Sequence, residues 1–202
     1  GYAWASSALT SFSTPLPSVT YAAYAFIHCS SLESFSSQLP SVTTLNQAFH
    51  YCFNLESFDL VELPSLVDAR YSWRNCYALT SFDTRLPKVT RLKQTWETCT
   101  ALTDFSADVF SNWNPSSINS GVFNNTWNGC SSLTAQSVEN ILTSIDASGK
   151  YATSDGTSGG TALADAGIDI DYDGSGLTAA TTAAITSLKA KGWSIFINSV
   201  EQ

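Results

Sequence analysis

Apolar positions along the first two thirds of the chain recur at a near-constant interval. Phe12, Phe35, Phe58, Phe82 and Phe105 follow one another at steps of 23, 23, 24 and 23 residues. Each stands three residues after a leucine: Leu9, Leu32, Leu55, Leu79 and Leu102. In the later four copies each also stands six residues after Cys29, Cys52, Cys76 or Cys99, and nine after Phe26, Phe49, Trp73 or Trp96. Leu-Pro follows at Leu16-Pro17, Leu39-Pro40, Leu63-Pro64 and Leu86-Pro87, with Val19, Val42, Leu66 and Val89 two places beyond the prolines. The first copy departs slightly, with Ser6 in the cysteine slot and Trp4 one residue late. A half-copy, Trp127, Cys130 and Leu133, follows an insertion over residues 106–122, and Gln136 occupies its phenylalanine slot.

A unit of about 23 residues cannot bury its own apolar face, so the copies must stack on one another. The pattern predicts an α/β repeat solenoid over residues 1–133: a leucine-rich-repeat-like stack of five units and a half-unit. Leu-x-x-Phe is then a short strand, and Pro-x-Val turns the chain back. Equivalent residues become neighbours at the ~4.8 Å spacing of paired strands. The phenylalanines and the cysteines Cys29, Cys52, Cys76 and Cys99 are expected as structural ladders inside. Thr10, Glu33, Glu56, Thr80 and Thr103 form an outward column.

Alignment by copy also reorders the charges. Six of the nine basic residues fall between Arg70 and Lys93, which in a linear reading is a ligand-binding patch. In the aligned copies Asp68 stands beside Arg91, Arg74 beside Glu97, and Glu62, Arg85 and Asp108 share a column. These are expected as solvent-exposed ion pairs between neighbouring copies. Arg70 and Lys93 share a column with no acid and are the remaining candidates for anion binding.

Beyond Ser131 the pattern changes. Thr134 is placed to cap a helix whose apolar residues Val138, Ile141, Leu142 and Ile145 fall at helical spacing. Gly167-Ile-Asp-Ile-Asp-Tyr-Asp173 alternates as a strand, Leu177 to Lys191 reads as a second helix capped by Thr178, and Trp193 to Ile197 as a final strand. Residues 134–202 are therefore expected as a C-terminal βαβ cap that continues the solenoid sheet. No comparable cap is legible at Gly1, so that end is expected to be covered by another segment or subunit.

The chain of 202 residues carries a formal charge of −8, with 17 acidic and 9 basic residues and 12% aromatic residues. Aromatic content of that order excludes disorder. An acidic balance makes nucleic acid a poor partner, since affinity for phosphate backbones comes from clustered Lys and Arg. The longest apolar run, Tyr21 to Ile27, is far too short to span a bilayer, so no membrane insertion is expected. There is no Met, position 1 included, and the chain is expected to be a processed product or a segment of something longer.

The segment Leu39-Pro-Ser-Val-Thr-Thr-Leu45 followed by Ala48-Phe49-x-x-Cys52-x-x-Leu55 resembles the BspA-type leucine-rich repeat. The resemblance covers roughly Gly1 to Leu133. The chain departs from that family in having Phe where a β-branched aliphatic is usual and Trp in two aromatic slots. Such repeats occur in bacterial surface adhesins and, in related aromatic-rich forms, in bacteriophage tail-fibre proteins. The resemblance implies extracellular recognition and transfers no catalytic residue.

Candidate chemistry is sparse. The cysteines occupy one column, with no CxxC pair and no His at ligand spacing, and read as a buried thiol ladder. Asp169-x-Asp171-x-Asp173-Gly174 imitates a calcium loop, but Ala180 stands where the closing Glu belongs. Gly156-Thr-Ser158-Gly-Gly160 matches a hydrolase elbow with no histidine after it. His28 and His50 read as surface or groove residues. Asn124-Asn-Thr126 is a formal glycosylation sequon. No catalytic residue, metal site or cofactor is expected.

The binding candidates are Trp113, on the inserted loop and either an exposed recognition element or part of a cap; Tyr24 and Tyr71, in a column that alternates with Gln47 and Gln94; Arg70 and Lys93; and Glu33 and Glu56. The expected function is a non-enzymatic extracellular recognition module, binding a host receptor or surface glycan on a phage tail fibre or virion surface. The alternatives are a bacterial cell-surface adhesin domain and a structural spacer or filament subunit. A homo-oligomer is an expected assembly for the first of these.

Overall fold

The computed structural model describes residues 2–202. Five two-residue strands carry the phenylalanines: β1 (Ser11–Phe12), β2 (Ser34–Phe35), β3 (Ser57–Phe58), β4 (Ser81–Phe82) and β5 (Asp104–Phe105). β1, β2 and β3 pair in parallel with Phe12, Phe35 and Phe58 in register, and β4 pairs with β5 through Phe82 and Phe105. The ladder is interrupted between β3 and β4, where the step lengthens to 24. The extra residue falls between Phe58 and Leu63, where Val61 is pushed into solvent. Two helices and a third small sheet complete the structure, and none of the three sheets closes into a barrel.

Two aromatic columns interlock to form the centre of the core. Phe35 stacks on Phe58 at 5.3 Å and meets Phe26 and Phe49 edge-on at 5.2 and 4.8 Å. The same arrangement continues through Trp73, Phe82, Trp96, Phe105 and Trp127. Alternating stacked and edge contacts satisfy the ring quadrupoles, worth ~0.5–1.5 kcal/mol per pair beyond burial. Beside them the five thiols each donate to the carbonyl of the aromatic one copy earlier: Cys29 to Trp4, Cys52 to Phe26, Cys76 to Phe49, Cys99 to Trp73 and Cys130 to Trp96, at 3.0–3.2 Å. All five are free and buried. Burial raises the pKa values of Cys52, Cys76, Cys99 and Cys130, that of Cys99 to about 12.

The segment around each core aromatic has an unusual backbone. The residues two before it (Tyr24, Gln47, Tyr71, Gln94, Asn125) and two after it (Ser6, His28, Tyr51, Asn75, Thr98) all have φ between 50° and 64°. A left-handed conformation costs a non-glycine residue ~1–2 kcal/mol. Lateral hydrogen bonds hold it in place. Tyr24, Phe26 and His28 donate their N–H groups to the carbonyls of Asn46, Ala48 and His50 in the next copy, and Gln47, Phe49 and Tyr51 repeat the pattern onto Arg70, Ser72 and Arg74. These peptide groups point the same way throughout, N–H toward the C-terminal end of the stack and carbonyl toward the other.

The C-terminal segment consists of α1 (Ala135–Ala147), β6 (Gly167–Ile170), α2 (Ala179–Ala190), β7 (Ser194–Ile197) and β8 (Val200–Glu201). Thr134 and Thr178 cap the two helices by accepting the N–H groups of Ser137 and Thr181. β6 and β7 are parallel, and β8 returns antiparallel to β7. The strand read over 167–173 stops at Ile170, because its partner β7 ends opposite it at Ile197 in the turn at Asn198 and Ser199. The segment joins the repeats at the aromatic column, where Ile170 bridges Trp127 in parallel, and does not prolong the phenylalanine ladder. The free edge of β5 is met by α1 instead: Phe105 N–H donates to Ser137 Oγ and Asn140 Nδ2 donates to the Phe105 carbonyl, both at 2.9 Å.

The last row of outward-pointing N–H groups ends on side chains of and just after β6. Asn125 N–H donates to Asp169 Oδ2 at 3.2 Å and Gly129 N–H to Asp171 Oδ2 at 2.7 Å. Between them the Asp171 N–H returns to the Trp127 carbonyl. Aligned N–H groups favour anions for the reason helix N-termini do.

Candidate binding groove

The column Tyr21, Thr44, Asp68, Arg91 is joined by parallel bridges across four successive copies. It forms one wall of a groove of about 480 Å³ that also takes in Tyr24, Asn46 and Arg70. Through Arg91 and Val67 the groove opens into a depression of about 380 Å³ bordered by Lys88 and Asn119, and through Arg70 and Arg91 into one of about 180 Å³ bordered by Lys93.

Asp68 sits at the centre of the groove. Its side chain is 11% exposed and takes Arg70 in bidentate fashion, Nε to Oδ1 at 2.9 Å and Nη2 to Oδ2 at 2.7 Å. Arg91 Nη1 lies 3.7 Å from Oδ2. Hydrogen bonding to Asp68 raises the already high pKa of Arg70. Arg70 is therefore not the unpaired cation that the aligned copies suggest, because its acid lies two residues back on the same copy. The lining of the groove and its two extensions carries four cations, Arg70, Lys88, Arg91 and Lys93, and the one carboxylate of Asp68, on a molecule whose net charge is −8. At the far margin Asp165 is held by Asn124 Nδ2 at 2.9 Å and by the N–H of Gly167 at 3.1 Å.

Of the residues singled out from the sequence, the groove gathers Tyr24, Arg70 and Lys93. Tyr24 is half-buried, stacks on Tyr2 at 5.1 Å and has its hydroxyl hydrogen-bonded by Gln47 Nε2. Tyr71 is half-buried outside the lining, with the Arg74 guanidinium 5.9 Å from its ring centre. Glu33 and Glu56 are exposed beside β2 and β3, away from the groove. Trp113 is not an exposed recognition element. It is 1% exposed, donates Nε1–H to the Val89 carbonyl at 2.8 Å and packs on Phe123 at 5.4 Å, so the insertion turns inward and plugs the core. Tyr21, Asn46 and Arg91 were not singled out as binding residues, although the copy alignment already set Asp68 beside Arg91.

Other sequence features resolve structurally. Of the expected ion pairs, Arg74–Glu97, Arg85–Glu62 and Arg91–Asp68 are present. His50 is not a surface residue: it is 6% exposed, and burial, then Arg74, pull its pKa down to about 4. Its ring nitrogens find no hydrogen-bond partner among the described residues, and the ring lies 3.9 Å from that of Tyr51. The Asp169 and Asp171 carboxylates are occupied with the N–H groups above. Burial raises the pKa of Asp169, with Asp165 and Asp171 adding to the shift. In the sequon Asn124 is half-buried and bonded to Asp165, and Thr126 is fully buried.

A second groove of about 420 Å³ brings Asp59, Asp83 and Asp108 around Arg85. All three carboxylates are exposed, whereas an acid–base pair needs one shielded from water. Among the described residues no group of three or more His, Cys, Asp or Glu is arranged to hold a metal ion, and no helix is long and apolar enough to cross a membrane. Comparison with family models, curated proteins and solved structures returns no match.

Proposed function

We propose that this chain is a leucine-rich-repeat-like solenoid acting as a non-enzymatic recognition module outside the cell. It holds a surface glycan or protein receptor in the groove between Tyr21 and Lys93, as part of a phage tail fibre or virion surface. The observation that carries the reading is that groove: two tyrosines, an amide and three cations, two of them exposed, on adjoining copies, held by a packed core that leaves them little freedom. A pre-organised surface loses less entropy on binding. The BspA-type resemblance of the motif supports the extracellular setting. A bacterial adhesin domain is the close rival and differs in assembly, monomer rather than trimer.

The test is binding of labelled protein to arrayed surface glycans and to intact bacterial cells, comparing the native chain with Tyr24→Ala and Arg91→Ala. Saturable binding lost in both variants is expected. Binding untouched by either removes the groove from the reading. The structural-spacer alternative draws on Trp4, Leu9, Phe12, Leu16 and Val19 of the first copy, which are only partly buried. Concentration-dependent polymerisation without any ligand, seen by sedimentation, would favour it.

A further inference from the structure

We infer that the ligand of the groove is an acidic glycan, with its acid groups received by Arg91 and Lys93 and its sugar rings lying along the Tyr21–Arg91 column; this rests on reading the groove as the recognition surface. Charge is the first argument. Arg70 commits Nε and Nη2 to Asp68, whereas Arg91 touches that carboxylate only at 3.7 Å and is 46% exposed. Among the described residues no carboxylate lies within ion-pair distance of Lys93. Arg91 and Lys93 are thus left facing solvent beside a groove whose one carboxylate is already neutralised. On an acidic molecule this is a local reversal of sign, the arrangement that draws in and orients an anionic ligand.

The remaining lining selects among anions. Thr43, Thr90 and Asn46 spend a donor on the Thr20, Val67 and Arg70 carbonyls, and Asn119 one on Thr90, which leaves hydroxyl and amide oxygens to accept, with the Thr44 hydroxyl and the second amide protons to donate, as sugar hydroxyls require. Tyr21, 60% exposed, presents a ring at one end. Four copies at the spacing of paired strands give a track of about 14 Å, too long for a single inorganic anion. Val67 is the one aliphatic side chain among the described residues lining the main groove, so an acidic peptide would find little there to hold its side chains. A nucleic acid would carry its phosphates onto the surrounding negative surface.

The experiment is calorimetric titration of the full chain with four probes. They are an oligogalacturonate, a neutral galacto-oligosaccharide of equal length, a heparin-derived oligosaccharide and a glutamate oligopeptide. The oligogalacturonate is expected to bind and the neutral sugar not to. Arg91→Gln/Lys93→Gln should weaken binding about tenfold or more, the loss of one to two charge-assisted hydrogen bonds. Arg85→Gln, in the other groove, should leave it unchanged, and added salt should weaken it. Stronger binding of the heparin probe keeps the class and makes the acid group a sulfate. Equal binding of the neutral sugar, tighter binding of the peptide, or full affinity in the double variant overturns the inference. If neither acidic sugar binds while cells still bind in an Arg91-dependent way, the ligand class falls and the recognition reading stands; if Arg91→Ala also leaves cell binding intact, both fall.

Discussion

The repeated part of the chain and its C-terminal segment are ordered by different means. In α1 and α2 the backbone is satisfied within the segment that carries it, and Thr134 and Thr178 close the first turns locally. In the repeats it is satisfied sideways: the His28 N–H finds its acceptor at His50 and the Thr98 N–H at Asn128, one copy away. A helix can adopt its geometry from its own residues. A repeat acquires its geometry only when the next copy is in place, and this permits left-handed Tyr, His and Thr residues that no local preference would choose. The two regimes meet at Asp169 and Asp171, which receive the N–H groups that no further copy would accept.

The sharpest test of this contrast is Trp96→Ala. Trp96 is stacked between Trp73 at 5.6 Å and Trp127 at 5.8 Å, so its loss should remove ~3–5 kcal/mol, read by urea denaturation. Ile185→Ala on α2 should cost less, about 2 kcal/mol; equal losses would mean that the stack is no more interdependent than the helices.

Next is pH. His50 has a folded pKa of about 4 against an ordinary 6.5, so below 6.5 the unfolded chain binds the extra proton. Stability from this group is complete above pH 6.5 and falls by about 3 kcal/mol as the pH drops to 4. His50→Gln should flatten that part of the stability–pH curve, and an unchanged slope would assign it to carboxylates instead.

Asp171→Ala should cost about 1–3 kcal/mol by leaving the Gly129 N–H unpaired, with Asp171→Asn recovering part of it, as followed by thermal unfolding. The same substitution by glycine should have opposite signs in the two regions. Thr98→Gly relieves a β-branched residue at φ 62° and should be stabilising by about 0.5–1 kcal/mol. Ala183→Gly on the exposed face of α2 should be destabilising by about 1 kcal/mol. Smallest of all, Arg85→Gln should change stability by less than about 1 kcal/mol, since its pairing with Glu62 is largely in solvent.

Much of this was legible in the letters. The register of Phe12, Phe35 and Phe58 and of Phe82 and Phe105, the burial of the thiol column, the three ion pairs between copies and both helix caps followed from spacing alone. Trp113 was open between an exposed recognition element and part of a cap, because what draws it inward, the Val89 carbonyl and the Phe123 ring, is supplied by other segments. Asp169 and Asp171 read as part of a strand's alternation or as a calcium loop because their partners, at Asn125 and Gly129, lie more than forty residues back. The groove was half visible: the aligned copies set Asp68 beside Arg91, but nothing in the sequence said that Arg70 would turn to Asp68 on its own copy.

By itself the sequence determined the period, the interior columns and the two capped helices, since each depends on which side chains must leave water and at what spacing. Tertiary structure decided the handedness of the backbone beside each core aromatic, the role of Asp169 and Asp171 and the side to which the inserted tryptophan turned. These are choices in which a strained or polar group is stabilised only by a partner far along the chain, so no local rule could have made them.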